Sequence, residues 1–163
     1  MANNRMTAPL DASPELVAEA YKRTAMTAAA IAGTLLVYVV VVEMMTRATP
    51  APEPPALFSS LRIAIFVMAG VIIFSTTIAK GVMLRNPPDD AAGRLARLKT
   101  ASILSMGLAE VPAIAGLVLV MMGRTRSDFY MLLAISAYMM VRHFPRRGAW
   151  EEYVRRGSTT VVR

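Results

Sequence analysis

A chain of 163 residues that is 55% hydrophobic, with mean hydropathy +0.47 and a formal charge of +7, is too apolar for an ordinary water-soluble domain. It has no cysteine and one histidine, which excludes disulfides, thiolate chemistry and a multi-histidine metal centre within one chain. Its 18 Lys and Arg flank the apolar runs, the placement of membrane anchors and not of a nucleic-acid surface.

Residues 1–23 are polar and carry Asp11, Glu15, Glu19, Lys22 and Arg23, which argues for a cytoplasmic lead segment and against a cleaved signal peptide. Ser13-Pro14-Glu15 has the order of N-cap, first-turn proline and first-turn acid, and predicts a short helix entering the first span. Four apolar segments follow, at about 24–46, 62–84, 100–122 and 128–144. A spanning helix needs about 20 apolar residues, so the first three qualify easily and the fourth is the shortest. Lipid offers the backbone no hydrogen bonds, so each segment must be helical, and the absence of period-two alternation speaks against a barrel. The expectation is an all-α integral membrane domain over 24–144, with four transmembrane helices.

The connections read in the same terms. Ala51-Pro-Glu-Pro-Pro55 cannot continue a helix and predicts an extended outer loop. Asn86-Pro-Pro-Asp-Asp90 breaks the chain again, and Gly123 and Ser127 suggest a C-cap and an N-cap on either side of a tight turn. Phe144-Pro145 ends the fourth span. The tail, 145–163, interleaves Trp150 and Tyr153 with arginines, the pattern of a basic interfacial helix.

With four spans, all the Lys and Arg except Arg47, Arg62, Arg124 and Arg126 lie on one side. The positive-inside rule then puts both termini in the cytoplasm. The preference for arginine and alanine fits the inner membrane of a bacterium with a GC-rich genome.

Glu110 sits about ten residues from either end of the third span, near the bilayer midplane. An ionised carboxylate there costs at least ~3 kcal/mol. It must be protonated, paired or turned to a polar cavity, and hydrocarbon favours the neutral acid. If the antiparallel second span is aligned with the third at their centres, Ser75 and Thr76 lie level with Glu110 as candidate hydrogen-bond partners. Lys80 lies a turn or more toward the cytoplasm and is expected to snorkel to the headgroups. Thr34 and Ser136 lie near the midplane of the other two spans. Pro112, two residues after Glu110, frees the carbonyl of Leu108 and predicts a local helix distortion.

Arg85-Asn86-Pro87, the acids Asp89 and Asp90, and the run Leu108-Ala-Glu-Val-Pro-Ala-Ile-Ala-Gly-Leu-Val118 resemble subunit c of rotary ATP synthases. That family is a two-helix hairpin with an Arg-Gln-Pro type cytoplasmic loop and an ion-binding carboxylate on its second helix. The resemblance covers about 62–122. It implies that Glu110 binds a proton or sodium ion and that Arg85 and Pro87 are loop-contact residues. The second span has only Gly70 and Gly81 where the family's first helix has closely spaced glycines, and further spans flank the hairpin. The expectation is therefore a hairpin like subunit c inside a four-helix protein, in a homo-oligomer or a larger membrane complex. Its alternative is a non-transporting structural or assembly subunit that uses Glu110 as a polar clasp.

Glu43 and Arg47 are spaced for an i,i+4 pair at the outer interface. Tyr38, Tyr130 and Tyr138 are read as helix-end or packing residues, and the 13 methionines as filling between helices. Ala109, Ala113 and Gly116, with Gly107 a turn earlier, would let a neighbouring helix approach closely. No phosphate loop, nucleophile elbow or metal-ligand cluster is present, so the expectation is no enzyme and no cofactor beyond a proton or sodium ion.

Overall fold

The computed structural model describes residues 14–48, 53, 55–85, 88, 90–123 and 126–158, with side chains described through Arg155. These form five helices: α1 (Pro14–Ala48), α2 (Phe58–Arg85), α3 (Ala91–Gly123), α4 (Arg126–His143) and α5 (Arg147–Ser158). There is no strand among the described residues. The first three helices are long and apolar enough to cross a membrane. α4 has 18 residues and carries Arg126, Asp128 and Arg142 at its ends, a length of roughly 27 Å at 1.5 Å per residue.

α3 is the central element, packed against each of the other four helices, whereas α1 and α2 do not touch among the described residues. The sequence explains why. Ala109, Ala113 and Gly116 lie on a face of α3 that is fully or nearly fully buried. A Cβ on Gly116 would meet Leu132 Cβ and Phe129 Cα at 3.2 Å, so this glycine lets α4 approach α3 at backbone range. Gly107 has open space around its α-carbon and takes no part in that approach.

In α1 the buried positions are Val17, Thr24, Ala28, Leu35 and Val42, mostly one heptad apart. That repeat of about 3.5 residues is the seam of a left-handed helix pair. Opposite faces of α1 and α2 carry Leu36, Val37, Val40, Val67, Phe74 and Val82, all more than half exposed. In water such a belt would be an aggregation surface; in a bilayer it is the lipid face.

The helices outrun the expected spans, and one physical reason covers most of the difference. α1 is a single helix of 35 residues, about 52 Å long, so it projects well beyond a ~30 Å hydrocarbon core. Its N-terminal turns are the continuous start of the first span and not a separate short helix; Ser13 lies outside the described residues. α3 begins before its expected span because Asp90 caps it: the Gly93 N–H donates to Asp90 Oδ2 at 2.8 Å. α5 docks on these projecting turns. Trp150 and Val154 are buried with Val17 and Leu98, and the Trp150 and Tyr21 rings meet edge to face at 6.0 Å. The tail thus forms the expected helix, but Trp150 faces protein instead of the lipid interface.

α4 starts at Arg126, which puts Ser127 inside its first turn and not ahead of it as a cap. Gly123 ends α3, but its backbone is not left-handed, and a Cβ there would strike the Phe58 ring. The absence of a side chain at Gly123 leaves room for the Phe58 ring of α2 as it is placed. Arg85 is the exposed last residue of α2, while Pro87 and most of 51–55 lie outside the described residues.

Candidate functional site

Glu110 is brought against α1, on the side of α3 away from α2. Its Oε1 accepts hydrogen bonds from Thr34 Oγ1 at 2.6 Å and from Tyr38 Oη at 2.5 Å. These donors sit one helical turn apart on α1, the i,i+4 spacing that places two side chains on one face. No cation reaches the carboxylate among the described residues. Thr34 Oγ1 also lies 2.6 Å from the Ile31 carbonyl. A hydroxyl has one hydrogen, so Thr34 can donate to the carboxylate or to that carbonyl, not fully to both.

The expected partners on α2 do not reach Glu110. Thr76 is buried and turns its hydroxyl back to the Ile72 carbonyl at 2.7 Å, and Ser75 is exposed on the outer face. The reason is azimuth: α1 and α2 flank α3 on different sides, and Glu110 points to α1. Tyr38 is a site residue that the sequence reading treated as packing. The available signal was its i,i+4 relation to Thr34 at midplane depth, which makes a two-hydroxyl face on an otherwise apolar helix.

Pro112 is buried in the middle of α3, and the helix continues through it. Immediately after it, the Ala113 N–H donates to Ser136 Oγ of α4 at 2.9 Å. A side chain from a neighbouring helix thus meets a backbone group in the turn loosened by proline, the usual way a membrane helix tolerates that residue. Glu110 and Pro112 therefore face two different helices. The carboxylate is gripped by α1 while the distorted backbone is gripped by α4.

The end of the bundle away from α5 holds three ion pairs around two carboxylates. Arg62 of α2 pairs with Asp128 of α4 at 2.7 Å, with the Asp128 side chain fully buried and that of Arg62 half exposed. Asp128 Oδ2 is buried without a hydrogen-bond partner. Glu43 makes the expected pair with Arg47 at 3.4 Å, and is joined by Arg126 at 3.9 Å and by the Tyr130 hydroxyl at 2.6 Å. At the other end, Lys80 Nζ lies 3.5 Å from the His143 carbonyl, a contact to protein and not to Glu110. The methionines divide by environment: Met106, Met139 and Met140 are buried core, while Met44 and Met121 are exposed. No cluster of three or more metal-ligating side chains occurs among the described residues.

Comparison of the chain with known protein families, with curated proteins and with solved structures finds no match in any of the three. What the molecule shows by itself is a multi-pass membrane architecture of helices, with one carboxyl group held mid-span by two hydroxyls and no counter-ion among the described residues.

Proposed function

We propose that this is a four-span bacterial inner-membrane protein with cytoplasmic termini, in which the Glu110 carboxyl reversibly binds a proton. The carrying observation is the hydrogen-bond arrangement of Thr34. In the ionised state Thr34 and Tyr38 both donate to Oε1. In the protonated state the acid donates to Thr34 Oγ1, Thr34 donates to the Ile31 carbonyl, and Tyr38 still donates to Oε1. Both states are satisfied by turning one hydroxyl hydrogen, with no heavy atom displaced.

The fourth span is supported by the ends of α4. Arg62 and Asp128 join α2 to α4 at one level, and Lys80 meets the His143 carbonyl at the other, so α4 runs beside α2 through the same slab. The Lys and Arg bias toward the end that carries α5 supports the cytoplasmic assignment of that end. The resemblance of 62–122 to subunit c supports a proton-binding role for Glu110. Glu110 is turned to Thr34 and Tyr38 of α1 within the same chain, so we assign the carboxyl to proton exchange inside the bundle or at its contact with a second subunit. A homo-oligomer or a larger complex would complete the path on each side.

Carbodiimides react with protonated, membrane-embedded acids, which gives a direct test. In the full chain reconstituted in vesicles, labelling maps to Glu110, and Glu110→Gln abolishes both the label and proton flux while the protein still folds. Proton flux that survives in Glu110→Gln overturns the reading.

The same two hydrogen bonds favour a second reading, a non-transporting membrane subunit in which Glu110 clasps α1 to α3. On that reading the native protein carries no flux, and Glu110→Gln lowers assembly and stability instead.

A further inference from the structure

At the end of the bundle opposite Arg62 and Glu43, the C-terminal turns of α2 and α4, the Phe144–Pro145 turn and α5 enclose an open cleft of about 560 Å³. Lys80, Arg142, His143, Arg146, Trp150 and Tyr153 line it, and no acidic side chain does. The cations are not consumed elsewhere. Arg142 and Arg146 make no ion pair among the described residues, and the contact of Lys80 is a long one to the His143 carbonyl.

Two of the side chains that line the cleft carry a buried polar atom behind its wall. His143 is only 6% exposed, yet its Nε2 is buried without a hydrogen-bond partner, and the Tyr153 hydroxyl is buried in the same condition. An unpaired polar atom inside a protein is costly unless something meets it. Three cations without an ion pair among the described residues, gathered in one cleft, favour an anionic group with several acceptor oxygens, which is the chemistry of a phosphoryl group. The remaining wall is mostly apolar, with Leu98, Ala101 and Ser102 of α3 and the Trp150 side chain forming part of it. On α2 the cleft opens past Thr77 and Gly81, both exposed on the face turned to lipid, and Gly81 leaves open space around its α-carbon.

We propose that this cleft binds the phosphoryl headgroup of an anionic phospholipid from the leaflet on the α5 side. Lys80, Arg142 and Arg146 contact the phosphate oxygens, and the acyl chains leave past Thr77 and Gly81. The lipid would join α2, α4 and α5, three elements that otherwise meet mainly through α3. The site is separate from Glu110 and does not depend on proton binding there.

The test uses the full chain in mixed micelles with equal phosphatidylglycerol and phosphatidylcholine, released into native mass spectrometry. Phosphatidylglycerol should be retained preferentially, and Lys80→Gln combined with Arg146→Gln should weaken that retention about tenfold, the loss expected for charge-assisted hydrogen bonds. Arg146→Gln alone, at an exposed position, should weaken it in the same direction without risk to the fold, and Arg23→Gln should leave it unchanged. Equal retention of the two lipids, or retention unaltered in both cleft variants, overturns the proposal. Displacement of the lipid by inorganic phosphate at equal concentration also overturns it, by assigning the cleft to a soluble anion.

Discussion

Asp128 and Glu110 are both carboxylates that tie one helix to another, but they are partnered in opposite ways. Asp128, fully buried at the outer end, has a guanidinium at 2.7 Å. Glu110, mid-span, has two hydroxyls and no cation among the described residues. A guanidinium favours only the ionised form, so the Arg62–Asp128 pair is a fixed bolt between α2 and α4. Hydroxyls accept as readily as they donate, which is the basis of the proton-binding role proposed for Glu110. One carboxylate is held by a cation, and the other by hydroxyls alone among the described residues.

The largest effect that would sharpen this contrast is Arg62→Leu. It strands the buried Asp128 carboxylate, whose second oxygen already lacks a partner, and should lower stability by about 3 kcal/mol in reversible detergent unfolding. Adding Asp128→Leu should restore most of that loss, because the stranded charge is then gone. A double variant no more stable than Arg62→Leu would break the assignment of a fixed pair.

Ser136→Ala comes next. It removes the partner of the Ala113 N–H beside Pro112 and should cost about 1 kcal/mol by the same unfolding measurement. The smallest stability change is expected for Tyr38→Phe, about 0.6 kcal/mol, typical of one hydrogen bond between membrane helices. Its informative readout is chemical. Removing a donor to the ionised form favours the protonated acid, so carbodiimide labelling of Glu110 should become faster, whereas a purely structural clasp predicts no acceleration.

The sequence made the membrane class legible because hydrocarbon imposes one rule on every segment at once: long apolar runs must be helices. Three of the four expected spans emerge as helices longer than their apolar stretches, and the fourth segment as a shorter helix, α4. The small-residue face over Ala109, Ala113 and Gly116 was readable for the same kind of reason, since only small side chains allow backbones to approach. The partners of Glu110 were not readable. Depth in the membrane follows from counting along the chain, and the structure brings Thr34 to Glu110 and Ser136 to Ala113, one turn or less from it. Which of the candidate hydroxyls shares a face with Glu110 depends on the rotation of each helix about its axis and on which helix lies on which side of α3.

The lower end teaches the same lesson. Trp150 among arginines has the composition of a lipid-interface helix, but α1 and α3 project far enough from the slab to offer it a protein surface. Burying an indole edge-on against Tyr21, with Val17 and Leu98 around it, satisfies the ring as well as lipid would.

What the amino-acid order determined by itself is local and one-dimensional: helix identity, approximate depth, the bias of positive charge, and the presence of one acid where water is absent. What the tertiary structure alone decided is angular: that Glu110 meets Thr34 and Tyr38, that Ser136 meets the turn after Pro112, and that Lys80, His143 and Arg146 share a cleft. The physical reason is that hydrocarbon presses equally on every side of a helix, so hydrophobicity sets where a residue sits along the membrane normal, while only close packing and pairwise hydrogen bonds choose which way it faces.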